Sequence, residues 1–119
     1  LQIRLADAPG MEVVAEAGSG RTALEKIREL APDVVFLDIE MPGMSGLDLV
    51  AQLPTESMPL VVFVTAYDRY AVQAFEARAI DYLLKPVDAE RFTDALRRIR
   101  ERLDERRAGE QRDRLVQLM

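Results

Sequence analysis

Residues 34–46, Val34-Val35-Phe36-Leu37-Asp38-Ile39-Glu40-Met41-Pro42-Gly43-Met44-Ser45-Gly46, decide how the rest of the chain is read. Four apolar residues end on a carboxylate, and the chain then turns through Pro-Gly. A short apolar run bounded by turn residues predicts a strand buried on both faces, the kind found in parallel sheets. Asp38 falls where that strand leaves the core. Two readings of it stand at this point. Asp is a common turn former, and the carboxyl ends of strands in open α/β sheets are where ligands bind.

Working outward, residues 11–15 form a short strand candidate, followed by the loop Gly18-Ser19-Gly20. From Arg21, the apolar residues Ala23, Leu24, Ile27 and Leu30 keep helical spacing until Pro32 stops them. A second helix is expected to begin near Ser45 or Gly46, with Leu47, Leu49, Val50 and Leu53 apolar and Pro54 at its end. Residues 60–64 read as another buried strand, ending on Thr65. Residues 69–78 read as a short helix, and 80–84 as a third buried strand ending on Lys85-Pro86. The last helix starts near Asp88 and carries Phe92, Ala95, Leu96, Ile99 and Leu103 on one face. Beyond Leu103 the apolar stripe fails, so the helix is expected to fray at Ala108-Gly109. This gives a domain over 1–107 and the start of a linker over 108–119. Strands alternating with helices predict one α/β domain with a parallel sheet and right-handed crossovers.

Gly18-Ser19-Gly20-Arg21-Thr22 imitates the tail of a phosphate-binding loop. That motif needs Gly where Ala15 stands and Lys where Arg21 stands, so Ser19 is read instead as a helix cap.

The 119 residues suffice for one domain and its core, and 49% hydrophobic with 31% charged residues is ordinary for a soluble globular chain. No apolar run approaches a membrane span, and no signal-peptide pattern opens the chain. Absence of Cys excludes disulfide and thiol chemistry and suits a reducing cytoplasm. Absence of His removes Ser-His-Asp triads and His-dependent zinc sites, leaving carboxylates, hydroxyls, Lys and Arg. The net charge of −5 is uneven: residues 1–87 hold 7 basic and 13 acidic groups, whereas 88–119 hold 9 Arg against 8 acids. An acidic body does not suit direct nucleic-acid binding, and the Arg-rich tail reads as a solvated helix.

Three successive strands thus end on Asp38, Thr65 and Lys85, which a doubly wound sheet brings to one edge. A carboxylate can act as a nucleophile toward a phosphoryl group, forming an aspartyl-phosphate. The transfer depends on positioning and charge neutralisation. Lys85 suits a phosphoryl oxygen as a cation and Thr65 as a hydrogen-bond donor.

The blocks FLDIEMPGMSGLDL (36–49), FVTAYD (63–68) and DYLLKPV (81–87) resemble the receiver domains of two-component response regulators, over about residues 5–105. YAVQAF (70–75) resembles the LytR/AlgR class, whose receivers precede a LytTR-type DNA-binding domain. The resemblance implies a flavodoxin-like doubly wound parallel sheet of strand order 2-1-3-4-5. It implies Asp38 as phosphoacceptor from the phosphohistidine of a histidine kinase, with Thr65 and Lys85 binding the phosphoryl group. Tyr82 is then the switch aromatic that swings inward as Thr65 moves; packing on the sheet edge is its other reading. A cis Lys85-Pro86 bond is expected too. The family binds Mg²⁺ through the phosphoacceptor, the backbone carbonyl two residues on (here Glu40) and an acidic pair at the end of the first strand. The Glu40 side chain is expected at the site mouth, either tuning dephosphorylation or as plain surface charge.

The acidic pair has no counterpart here. Leu1–Pro9 matches the end of the family's first helix, so the first strand and most of that helix are expected to be missing and the chain to be a fragment. Asp7 lies across a helix from the site, and Asp104-Glu105 falls on the charged end of the last helix. The missing strand belongs between 11–15 and 34–37. An open slot there would leave roughly eight to ten backbone groups unpaired, at about 1–3 kcal/mol each, so strand exchange with another copy enters as a partner mode. A dimerising or output-docking face is expected over 66–100, with no catalysis beyond phosphorylation and dephosphorylation at Asp38. Two other readings remain: a phosphorylation-independent assembly module, and a haloacid-dehalogenase-like phosphatase, which would need an acidic pair on a strand after Lys85.

Overall fold

The computed structural model describes residues 17–41, 43–54 and 58–118, those from 107 onward as backbone. The strand candidate at 11–15 and Asp7 lie outside the described residues. Chain order is α1 (Gly20–Leu30), β1 (Val34–Asp38), α2 (Gly46–Ala51), β2 (Leu60–Thr65), a 3₁₀ turn (Asp68–Tyr70), α3 (Ala71–Glu76), β3 (Asp81–Leu84) and α4 (Ala89–Leu118). The three strands form one parallel sheet in the order β1-β2-β3. The α/β fold with a parallel sheet is thus as the sequence predicts.

The alternation along β2 explains why its sequence is apolar throughout. Val61 and Phe63 join Val35 and Leu37 in a core with Ala23, Leu24, Leu49 and Val50 from α1 and α2. Leu60, Val62 and Val64 face the other way, onto Leu83 and onto Ala95, Leu96 and Ile99 of α4. A strand between two cores has no polar face to show, and all six residues of β2 are buried.

Local signals set the helix starts. Ser19 caps α1, its hydroxyl accepting from the Thr22 N–H at 3.3 Å, and Ser45 caps α2 by accepting from the Asp48 N–H at 3.1 Å. The phosphate-loop imitation is therefore a helix cap.

Most boundaries shift from the sequence reading by one to three residues, and three differences bear on the site or the helices. Asp38 is the last residue of β1 and pairs in register with Val64, so it belongs to the strand. The single helix expected at 69–78 is a 3₁₀ turn followed by the short α3. Finally, α4 does not fray at Ala108-Gly109 but runs to Leu118. A helix keeps its main-chain bonds without an apolar stripe, and Ala, Arg, Glu, Gln and Leu, which fill much of this stretch, are good helix formers. No helix among the described residues is long and apolar enough to cross a membrane.

Candidate functional site

Sheet register assembles the site. Asp38 is level with Val64, Thr65 with Leu84, and Lys85 follows at once, so the three residues climb one step per strand along the same edge. The Lys85 main-chain N–H donates to the Thr65 carbonyl at 2.7 Å, which ties the second strand end to the third. Across the edge, the Lys85 ammonium reaches Asp38 Oδ2 at 2.6 Å, closing the first strand end onto the third. The Lys85-Pro86 peptide is cis.

Asp38 is held from below as well. Its Oδ1 accepts from the Glu40 main-chain N–H at 3.0 Å, and the Gly46 N–H bonds the Ile39 carbonyl at 2.8 Å, which folds the start of α2 against the end of β1. Gly46 is required there: a Cβ at that position would stand 2.6 Å from the Asp38 carbonyl oxygen. The Asp38 side chain remains 26% exposed, open to a reagent from solvent while anchored on one side.

Thr65 is fully buried, and its Oγ1 accepts from the Tyr67 N–H at 3.3 Å. The Tyr82 hydroxyl donates to the Tyr67 carbonyl, so the ring is tied to the loop that follows Thr65 instead of merely packing on the sheet edge. Burial holds its phenol above the ordinary pKa of 10.0.

Sequence reasoning missed two features. The first is a cluster over the mouth of the site: Glu40 Oε1 accepts from Arg69 at 3.0 Å and from the Tyr70 hydroxyl at 2.9 Å. The Arg69 guanidinium lies 4.4 Å from the Tyr67 ring centroid and 4.9 Å from that of Tyr70. The only available signal was the run Tyr67-Asp68-Arg69-Tyr70 directly after the second strand end. The second is Asp81, a buried carboxylate at the start of β3. It is clamped by both terminal nitrogens of Arg91 at 3.0 and 2.5 Å and approached by Arg98 at 3.4 Å. The signal was an acid opening an apolar strand, with two Arg seven residues apart on the next helix.

For a hard cation, the Asp38 carboxylate and the Glu40 carbonyl are oxygen donors of the right type. No group of three or more acidic, His or Cys side chains able to hold a metal occurs among the described residues. Asp104 and Glu105 lie on the far part of α4, away from this edge.

The fold is thus a parallel α/β sheet with a carboxylate, a hydroxyl and an ammonium at three adjacent strand ends. The family profile of the response regulator receiver domain matches residues 2–97, and the chain belongs to that family. Among curated relatives, it is 55% identical over 95 residues to an uncharacterized response regulatory protein of Vibrio cholerae, covering 80% of this chain and 40% of that protein. It is 45% identical over 101 residues to the transcriptional regulatory protein BtsR of Salmonella typhi, covering 85% and 42%. The chain thus spans less than half the length of the curated relatives it matches. Among solved structures, the REC domain of AraT, a response regulator from Geobacillus stearothermophilus, superposes with a TM-score of 0.74 at 39% identity, covering 82% of this chain and 78% of that one. The response regulatory domain of mrkE from Klebsiella pneumoniae gives 0.73 at 32%, covering 81% and 80%. These neighbours share the flavodoxin-like receiver fold.

Proposed function

We propose that Asp38 accepts a phosphoryl group from the phosphohistidine of a histidine kinase, and that Thr65 and Lys85 bind it. One Asp38 oxygen attacks phosphorus as the P–N bond of the donor breaks, and the electron pair of that bond stays on the leaving imidazole nitrogen. Reversal to the resting state consumes water: its oxygen attacks phosphorus, the acyl phosphate bond breaks, and phosphate leaves with a proton released to solvent. These two steps are the whole of the chain's chemistry in this reading. The observation that carries it is the 2.6 Å contact between Lys85 Nζ and Asp38 Oδ2 beside the Thr65 strand end. A cation already on the nucleophile is poised to take up charge as the phosphoryl group arrives.

Mg²⁺ would be held by the Asp38 carboxylate and the Glu40 carbonyl, with water in its remaining positions, and would supply further charge neutralisation. Thr65 follows the phosphoryl group, and the Tyr82–Tyr67 tie transmits that movement to residues 66–100. That face pairs two copies or docks an output domain, of LytTR type by the resemblance of 70–75, to control transcription in the cytoplasm.

The test is intact mass after incubation with acetyl phosphate, with and without Mg²⁺, beside Asp38→Asn. One Mg²⁺-dependent phosphoryl increment, absent from Asp38→Asn, is expected. No increment, or an equal one in Asp38→Asn, overturns the assignment and leaves the assembly module.

A further inference from the structure

The cluster over the site mouth is poorly explained as a stability device. Arg69 and Glu40 side chains are 61% and 45% exposed, and exposed ion pairs of long side chains contribute little to folding. Yet the arrangement is unusually restrained. Arg69 and Tyr70 both reach the same oxygen of Glu40, Arg69 also donates to the Tyr70 hydroxyl at 2.9 Å, and two aromatic rings hold the guanidinium. Its target is the residue whose own N–H fixes Asp38. Two ion pairs are therefore built on one turn of chain, Lys85 on Asp38 and Arg69 on Glu40, linked by the Glu40 N–H that bonds Asp38.

We propose that Arg69 is a positioning residue for phosphoryl transfer. By binding and neutralising the Glu40 carboxylate, with Tyr70 as second donor, it keeps an unbalanced negative charge from facing the anionic phosphodonor at Asp38. Lys85 balances the nucleophile, and Arg69 balances the rim. The inference rests on the reading of Asp38 as phosphoacceptor and adds two residues to it, Arg69 and Tyr70, that act only through Glu40.

The direction follows from electrostatics. Removing the guanidinium frees a carboxylate two residues from the nucleophile that an anionic donor must approach, which slows encounter and transfer. Removing the carboxylate instead leaves a cation at the rim, which speeds them. An effect of this origin weakens with salt, because rim charges are solvent-exposed and screened over about 10 Å at 0.1 M. A merely structural role for Arg69 would lower the melting temperature along with the rate, and Glu40→Gln, which breaks the same ion pair, would then slow the reaction instead of speeding it.

The experiment measures the rate of acetyl phosphate phosphorylation of the full natural chain by intact mass, at low and high salt, with melting temperatures recorded alongside. Arg69→Gln is expected to be slower by about threefold to tenfold at low salt, with the deficit shrinking at high salt. The Arg69→Gln/Glu40→Gln double variant is expected to return to the wild-type rate or above. Arg69→Lys recovers part of the loss. Glu40→Gln alone, which leaves Arg69 untouched, is expected to be faster than wild type. Wild-type phosphorylation with Arg69→Gln at an equal rate overturns the positioning role, as does an equal deficit in the double variant or a slower Glu40→Gln. A wild-type chain that takes up no phosphoryl group overturns the underlying reading instead.

Discussion

At the scale of single residues, the two buried polar groups of the described chain have different work. Thr65 belongs to the site. Asp81 belongs to the frame: burial alone would push its carboxyl up, but the Arg91 clamp, the Tyr82 N–H at 2.8 Å and Arg98 outweigh burial and hold it below 3.8. A carboxyl depressed in the folded state stabilises the fold above its unfolded pKa and loses that contribution as pH falls through the folded value. Asp81→Asn is therefore expected to destabilise the domain by about 1.5–3 kcal/mol at neutral pH. The difference should close as pH falls below the ordinary carboxylate range, read from urea midpoints as a function of pH. The placement of Asp38, Thr65 and Lys85 at one sheet edge was legible in the sequence because each closes or directly follows an apolar run. Asp81 and the Arg69–Glu40 pair were not. Their partners are 10 and 29 residues away, and only the folded geometry makes a surface-type Arg into a clamp.

At the scale of elements, legibility followed burial. The strands were readable since a run apolar on both sides fits only a sheet covered on both faces, and β2 fulfils this with core on each side. Helix ends were less readable. A fading apolar stripe marks where packing stops, whereas the main-chain helix of α4 continues beyond Leu103 through residues of good helix propensity. Arg106 still touches the body, donating to the Met58 carbonyl at 3.3 Å. Gly109 is then a weak point inside a helix, not a terminator. Gly109→Ala is expected to raise helical content and stabilise that segment by about 0.5–1 kcal/mol, visible as a deeper circular dichroism minimum at unchanged core melting.

For the whole molecule, the informative surface is the one that follows the site in the chain. Val72 and Phe75 of α3 are 67% and 83% exposed, and Leu84 at the end of β3 is 46% exposed. Large side chains left this open contribute little to the fold, so Phe75→Ser should alter stability by no more than about 0.5 kcal/mol. Under the proposed pairing of two copies over 66–100, the same change should weaken dimerisation of the phosphorylated full chain by about tenfold or more, measured by sedimentation. The family resemblance gave this region as the expected responsive face but not which residues stand out from it, because helical spacing alone does not say which side of a short helix is left uncovered. The complete enclosure of β2 has a further consequence. Val62 to Val64 are paired with a strand on each side and covered above and below, so this segment opens to solvent only when the domain unfolds as a whole. Thr65, paired on the β3 side, carries its hydroxyl at the end of that durable segment. Displacement of the Thr65 hydroxyl by a signal therefore turns a side chain at the strand's end and passes on into the stretch from Ala66 to Glu76, which makes the β2 backbone the fixed anvil and that stretch the moving part.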